Sequence, residues 1–205
     1  MTDEKTTDHN ITDKHQQRMQ KMKEKVDARI ESATEERGIL IVITGNGKGK
    51  STSGFGTVAR AVGHGLNAAV AQFIKGTWAC GERQLLENAG VKFSVMGTGF
   101  TWNTQDKEKD IAAAQQVWLK CKELLSDTNI DLVLLDEMTY MLSYKYIDLD
   151  EVITALNNRP KHQHVIITGR ACHRAIIELA DTVSEIKSIK HAFDSGIKAQ
   201  KGIDW

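Results

Sequence analysis

The hydrophobic positions of this chain fall into two patterns that alternate along it. Short apolar runs rich in β-branched residues predict strands at 39–44, 68–74, 91–96, 132–135, 164–168 and 182–186. Stretches with helical periodicity separate them, at 50–64, 81–89, 106–126, 150–157 and 172–180. Near-continuous apolar strands that alternate with helices are typical of a parallel sheet covered by helices on both faces. The pattern therefore predicts an α/β fold, with functional residues at the carboxyl ends of the strands.

A different pattern precedes the first strand. Residues 1–15 are polar and mixed in charge and lack periodicity, so we expect a mobile tail. Residues 16–37 have apolar positions at spacings of three and four, which predicts an amphipathic helix. Those positions are Met19, Met22, Val26, Ile30 and Ala33. Gly38 stands where a glycine commonly ends a helix. The helix either packs on its own domain or serves as a lid or a dimer arm.

Charge and cysteine content narrow the class of protein. Lys plus Arg and Asp plus Glu each total 27, so the formal net charge is zero. Proteins that neutralise nucleic-acid phosphates usually carry a basic excess, so we expect no nucleic-acid partner. The three cysteines, Cys80, Cys121 and Cys172, have no metal-site spacing and are expected to be reduced thiols. Reduced thiols are typical of a cytoplasmic protein, and because no apolar run reaches the ~18 residues of a membrane span, we expect no membrane partner.

A glycine-rich segment joins the first predicted strand to the first helix that follows it. Its glycines let successive backbone N–H groups point inward, and with the helix N-terminus they form an anion site. Lys50 would reach terminal phosphates, and the Ser51 hydroxyl would bind Mg²⁺. The strict phosphate-loop motif has glycine where this chain has Thr44, and an ordinary glycine-rich turn is the alternative. The predicted nucleotide-binding residues are Gly45, Asn46, Gly47, Lys48, Gly49, Lys50, Ser51 and Thr52.

Two acidic residues follow the strand predicted at 132–135. Asp136 would hold the water shell of Mg²⁺, with Mn²⁺ as an alternative, and Glu137 would orient a nucleophile or contact another part of the ligand. The pair lies about 85 residues after the loop, in the right order for a P-loop fold. Together the two motifs predict a nucleoside triphosphate site in residues 38–205. Arg60 and Arg170 are candidate ligand contacts, with a solvated surface arginine as the alternative for each.

Several strings of residues then resemble one family, the ATP:corrinoid adenosyltransferases of cobalamin metabolism. The strings are TGNGKGKS at 44–51, ARAVGHG at 59–65, QFIKG at 72–76, GTGFTW at 97–102, LDE at 135–137, VIITGR at 165–170 and KHAFDSGIKAQKGI at 190–203. The likeness runs in order from about residue 18 to residue 205. Ser51 departs from the threonine associated with that position but keeps its hydroxyl. The resemblance implies a single RecA-like P-loop domain as the catalytic domain.

The same resemblance implies a reaction and its partners. The 5′-deoxyadenosyl group of ATP would pass to the Co(I) centre of cob(I)alamin or a corrinoid precursor, with release of triphosphate, in adenosylcobalamin biosynthesis or salvage. Lys50 and Mg²⁺ would stabilise the leaving group. Phe100 and Trp102 would form an apolar wedge that displaces the lower axial ligand of cobalt, easing reduction of Co(II). As residues alone, these two aromatics are more typical of a protein core. A reduced flavoprotein electron donor and a homodimer are also implied.

Two other functions stay open at the level of sequence. A P-loop ATPase or small-molecule kinase would use Glu137 to polarise water or an acceptor group. A non-catalytic nucleotide-binding module would use the loop alone. The products separate the three functions, since the transferase yields intact triphosphate, an ATPase yields orthophosphate and a binding module yields neither.

Overall fold

The structure, a computed structural model, describes residues 4–74, 80–97 and 106–204, with side chains from residue 14 onward. The chain divides into two compact units, Met1–Glu36 and Arg37–Trp205. Within the described residues, no helix is both long enough and apolar enough to span a bilayer.

The first unit consists of one long helix, α1, at Glu4–Ser32. Much of the segment predicted as a tail is therefore helical, and the helix ends well before Gly38. The tail prediction relied on the lack of apolar periodicity. Residues 4–15 contain neither glycine nor proline to interrupt a helix, although their Thr, Asp, His and Asn residues favour it only weakly. Two acidic residues, Glu35 and Glu36, lie just beyond its end, where the helix dipole disfavours negative charge. Four of the five apolar side chains of the predicted stripe, Met19, Met22, Val26 and Ile30, are 48 % to 65 % exposed, and the fifth, Ala33, lies just beyond the end of α1.

The second unit contains the predicted parallel sheet. Its strands are β1 at Leu40–Thr44, β2 at Ala68–Gln72, β3 at Lys92–Val95, β4 at Leu132–Asp136, β5 at His164–Thr168 and β6 at Thr182–Glu185. All five neighbouring pairs are parallel, and the strand order is β3-β2-β4-β5-β1-β6. The predicted α/β fold class is thus confirmed.

Helices connect these strands close to the predicted positions. They are α2 at Lys50–Gly63, α3 at Gly81–Asn88, α4 at Lys107–Ser126, α5 at Met138–Ser143, α6 at Leu149–Asn157 and α7 at Arg174–Leu179, with a 3₁₀ turn at Phe193–Ser195. Sequence analysis missed α5. It is only six residues long, and four of them are buried, so it has no polar face to produce an amphipathic pattern.

The core lies on both faces of the sheet. On one face, Phe55 and Val58 of α2 pack against alternate strand residues such as Leu134. On the other, Trp118 of α4 packs against the intervening residues, among them Leu135. Side chains of a strand point alternately to the two faces, so β4 contributes to both clusters. This arrangement confirms a sheet covered by helices on both sides.

Strand order decides which chain segments meet at the carboxyl edge. β5 lies between β1, which leads into the glycine-rich loop, and β4, which ends in Asp136. In register, Ile43 of β1 is opposite Thr168 of β5, and Leu135 of β4 is opposite Ile167. The ends of these three strands therefore lie side by side and bring residues distant in sequence into one site.

Asp181 links β1 and β6 at their amino ends, on the side of the sheet opposite to the carboxyl ends of the strands. Its carboxylate accepts hydrogen bonds from Arg37 Nη1 at 3.0 Å and from the backbone N–H of Leu40 at 2.8 Å. The Asp181 N–H in turn donates to the carbonyl of Leu40 at 2.9 Å. Hydrogen bonding from Arg37 lowers the pKa of Asp181 to about 2. The start of β1 is thereby held beside the start of β6.

We expect Asp181→Asn to lower the free energy of unfolding at pH 7 by about 1 kcal/mol, a value reduced for solvent screening because the Asp181 and Arg37 side chains are 24 % and 48 % exposed. The folded-state pKa is depressed. The stabilisation is therefore complete above the ordinary pKa of 3.8 and is lost as pH falls through about 2. Urea denaturation at several pH values measures the difference between variant and wild type. Glu87→Gln, which breaks an exposed pair with Arg83, is the control with little expected effect. A difference that does not shrink towards low pH would contradict the assignment.

Candidate active site

The glycine-rich loop after β1 needs glycine for steric reasons. Gly45 and Gly49 have φ of 102° and 116°, in the region that side chains disfavour. A Cβ on Gly47 would lie 2.7 Å from the carbonyl oxygen of Lys187. Gly49 also precedes the first turn of α2, so the loop opens directly onto a helix N-terminus. This is the local geometry that a phosphate loop requires.

The segment that follows β6 supports this loop. The Gly47 N–H donates to the carbonyl of Ile186 at 2.7 Å, and the Ile186 N–H donates to the carbonyl of Thr44 at 2.8 Å. Lys48 Nζ forms an ion pair with Asp204 Oδ1 at 2.6 Å. Sequence analysis missed Asp204, because 156 positions separate it from Lys48 and no local pattern links them.

Lys50 lies at the centre of a group of charged residues. Its side chain is buried, and Nζ donates to the carbonyl of Gly47 at 2.8 Å. Burial lowers the pKa of Lys50, while Glu137 and Asp136 act to raise it and Arg170 acts to lower it. The structure therefore brings together four residues that the sequence predicted from three separate segments.

Asp136 is fully buried at the end of β4 and is held by two hydrogen bonds. Thr168 Oγ1 donates to Asp136 Oδ1 at 2.7 Å, and Gln72 Nε2 donates to Asp136 Oδ2 at 3.2 Å. Sequence analysis did not select Gln72 or Thr168. Each is a buried polar residue at the end of a largely apolar strand, and that signal could have identified both.

Glu137 has a left-handed backbone, with φ of 59° and ψ of 23°. Its N–H donates to Thr168 Oγ1 at 2.9 Å, which helps to hold this unfavourable conformation. Tyr140, one turn further along α5, belongs to the same edge. Burial and Glu137 raise the pKa of Tyr140, whereas Arg170 opposes that shift. Sequence analysis missed Tyr140 along with α5.

The other residues predicted to contact the nucleotide differ in exposure and in distance from Lys50. Asn46 and Thr52 are exposed on the loop and on the first turn of α2, and Ser51 is half-buried. Arg170 is exposed directly after β5. Arg60 lies ten residues beyond Lys50 on α2, about 15 Å along the helix axis. The structure does not bring Arg60 to Lys50, and its part in nucleotide binding stays a prediction.

Comparison with known proteins bears directly on this site. Residues 36–205 match the model of a family described as ATP:corrinoid adenosyltransferase BtuR/CobO/CobP. The chain belongs to this family. Residues 5–30, which lie within α1, also match the N-terminal region described for cob(I)alamin adenosyltransferases.

Curated relatives agree with the family assignment. A corrinoid adenosyltransferase of Escherichia coli is 62 % identical over 94 % of this chain and 98 % of its own length. Corrinoid adenosyltransferase CobA of Salmonella typhimurium is 63 % identical over the same shares. A corrinoid adenosyltransferase of Pseudomonas aeruginosa is 48 % identical over 94 % of this chain and 96 % of its own. The resemblance inferred from the motifs is confirmed.

Two predicted residues of this adenosyltransferase cannot be placed. Phe100 and Trp102 lie outside the described residues, as do Lys75 and Gly76 of the QFIKG string. The wedge role of the two aromatics stays a prediction.

The donor set at the carboxyl edge fits a magnesium ion. The described residues contain no group of three or more His, Cys, Asp or Glu side chains that could enclose a metal. Ser51 and Asp136 offer a hydroxyl and a carboxylate, both hard oxygen donors. Mg²⁺ in nucleotide sites usually takes one or two such protein ligands and completes its shell with phosphates and water.

Gly169 provides a test of how tightly this edge is packed in the adenosyltransferase. Its φ is 137°, and a Cβ there would lie 2.0 Å from Thr139 Oγ1. We expect Gly169→Ala to lower the free energy of unfolding by about 1–3 kcal/mol, because both backbone strain and overlap oppose it.

Gly56→Ala is the matched control for that substitution. Gly56 lies within α2, and its Cβ would meet no atom within 4 Å. This change should raise the free energy of unfolding by about 0.5–1 kcal/mol, as alanine favours helix. Thermal or urea unfolding of both variants measures the contrast, and equal stability of the two would contradict the described packing.

Proposed function

We propose that this chain transfers the 5′-deoxyadenosyl group of ATP to the Co(I) centre of a corrinoid. The electron pair of Co(I) attacks the 5′ carbon, a cobalt–carbon bond forms, and the bond from that carbon to the triphosphate oxygen breaks. The pair from the broken bond leaves with triphosphate, and cobalt is formally oxidised to Co(III). Cob(I)alamin or a corrinoid precursor is the substrate, and the product belongs to adenosylcobalamin biosynthesis or salvage.

The observation that carries this proposal is the environment of Lys50, taken with membership of the family. A buried ammonium group lies at the start of α2, within the electrostatic influence of Glu137, Asp136 and Arg170. A site that must stabilise the charge of a leaving triphosphate needs a fixed cation beside a helix N-terminus. Lys50 supplies the cation and the glycine-rich loop supplies the backbone donors.

Each group of the chain then has a defined task. The loop amides and Lys50 hold the triphosphate and stabilise the charge that develops as it leaves. Ser51 and Asp136 would hold Mg²⁺, which when bound supplies further positive charge to the triphosphate oxygens. Co(I) is itself the nucleophile, so no general base is required to generate it. Glu137 is assigned to positioning the nucleotide through its charge beside Lys50 and Arg170.

Other parts of the proposal concern cobalt reduction and assembly. A reduced flavoprotein supplies the electron that converts Co(II) to Co(I), and Phe100 with Trp102 displaces the lower axial ligand beforehand. The enzyme acts as a cytoplasmic homodimer, and the N-terminal helix serves as a lid or a dimer arm that excludes water from Co(I). These assignments are based on the family resemblance and on the apolar stripe of α1.

Substitution of Lys50 tests the triphosphate assignment. We expect Lys50→Ala to reduce turnover by a factor of about 10² or more, since a fixed charge on the leaving group is lost. Ser51→Thr is the control and should change turnover little because the hydroxyl remains. Anaerobic incubation with ATP and a Co(I) corrinoid, followed by the visible spectrum and by assay of released triphosphate, measures both. Near-wild-type turnover of Lys50→Ala would contradict the assignment, and release of orthophosphate by the wild type would favour an ATPase.

The wedge assignment is tested by starting the reaction from two cobalt states. Trp102→Ala and Phe100→Ala should lose most activity from Co(II) with a weak flavin reductant, because displacement of the axial ligand is impaired. They should keep much of it from chemically generated Co(I), where that step is bypassed. The ratio of the two activities is the measurement, made on variants whose melting temperature shows that they remain folded. If both activities fall together, the aromatics act as core residues.

A further inference from the structure

Thr168 occupies the position in the sheet where the nucleotide loop and the acidic pair meet. It ends β5, the strand between β1 and β4, and it is fully buried. Its neighbour across the register is Ile43, one residue before the end of β1. It lies within the VIITGR string at 165–170, but the sequence analysis assigned it no role and the mechanism above gives it no task.

The hydroxyl of Thr168 both donates and accepts a hydrogen bond. It donates its proton to Asp136 Oδ1 at 2.7 Å and accepts the N–H of Glu137 at 2.9 Å. A hydroxyl has one proton, so this pair of bonds fixes its rotation. Thr168 Oγ1 therefore orients the Asp136 carboxylate. The same oxygen stabilises the left-handed backbone of Glu137.

The methyl group of Thr168 has a separate contact. A Cβ on Gly54 of α2 would lie 3.3 Å from Thr168 Cγ2, so the methyl faces the helix that begins at Lys50. The two branches of one side chain thus point to different elements. The methyl packs towards α2, and the hydroxyl bonds the end of β4.

We propose that Thr168 is a positioning residue for the metal and triphosphate part of the site, acting through its hydroxyl on Asp136 and Glu137. Gln72 assists by donating to the second oxygen of Asp136 at 3.2 Å. The inference rests on the proposed function, since it concerns the same site. Partners that orient a metal-binding side chain commonly change metal affinity or activity by about 10–100-fold when removed.

Two variants of Thr168 separate positioning from packing. Thr168→Val keeps both methyl-sized branches and loses the hydroxyl, whereas Thr168→Ser keeps the hydroxyl and loses the methyl. If Thr168 positions the acids, the valine variant is the impaired one and serine restores function. If Thr168 only fills space against α2, the serine variant is the impaired one.

The first measurement does not depend on catalysis. Free Mn²⁺ is followed by electron paramagnetic resonance while the protein and ATP are titrated with Mn²⁺. We expect Thr168→Val to weaken Mn²⁺ binding by about 10-fold or more, and Thr168→Ser to stay within about threefold of wild type. Thr139→Val is the matched control, because Thr139 is equally buried nearby and its hydroxyl has no hydrogen-bond partner among the described residues.

A double variant tests whether Thr168 acts through Asp136. Thr168→Val should lower Mn²⁺ affinity much less in the Asp136→Asn background than in the wild type, because the hydroxyl then has no carboxylate to orient and only its bond to the Glu137 N–H is lost. An equal loss in the two backgrounds would show that Thr168 does not act through Asp136 and would overturn the proposal. Melting temperatures verify that each variant is folded.

The remaining outcomes are also decisive. If Thr168→Val does not fold, Gln72→Leu removes the other bond to Asp136 and should weaken Mn²⁺ binding several-fold. Unchanged Mn²⁺ affinity in every folded variant, or an equal loss in the valine and serine variants, overturns the positioning role. Failure of the proposed function looks different, since wild-type protein would then bind Mn²⁺ and ATP yet release no triphosphate with a Co(I) corrinoid.

Discussion

A carboxylate buried away from water is the constraint on which the carboxyl edge of this sheet depends. Asp136 has no exposed surface, and an uncompensated charge in that position would cost several kcal/mol. Its two oxygens are therefore matched by donors from the neighbouring strands, Thr168 on one side and Gln72 on the other. Both donors can reach it only because β4 lies between β2 and β5 in the sheet. The order of the strands therefore determines which donors the buried Asp136 carboxylate receives.

The same carboxyl edge contains two residues with unusual backbone conformations, Glu137 and Gly169. Glu137 carries a left-handed backbone without being glycine, and its N–H is tied to Thr168. Gly169, beside it, has a φ that only glycine adopts easily and leaves no space for a side chain. Strained positions of this kind persist where the surrounding structure determines them, and they are frequent at functional sites. Here they lie at the ends of β4 and β5, where Glu137 and Arg170 both influence the charge of Lys50.

Much of this fold follows from local sequence patterns, and the part that does not has a physical explanation. The six strands and the loop at 44–52 were predicted because apolar runs and glycine spacing are local signals. Asp204 was missed because its partner Lys48 is far along the chain, whereas Thr168 and Gln72 carry a local signal, a polar residue at the end of an apolar strand, whose partner Asp136 only the fold reveals. Helix α1 begins at Glu4, within the segment expected to be a tail, and no apolar periodicity in residues 4–15 signals it; the mobility of residues 1–15 stays a prediction. Family resemblance supplied the corrinoid and the wedge, which no residue pattern would have indicated alone.

The order of the strands also has a consequence for how this protein is made. β1 is synthesised first in the sheet, yet its only strand neighbours within the described residues are β5 and β6, whose pairing begins at Val165 and Thr182. A chain emerging from the ribosome therefore exposes an apolar strand with unsatisfied backbone groups while more than 120 further residues are added. The loop at 44–52 likewise forms its contacts with the carbonyl of Ile186 and with Asp204 only after those residues have been synthesised. The nucleotide-binding loop therefore gains its supporting contacts only after the last strand and the segment beyond it have been made, and such non-local contacts form slowly.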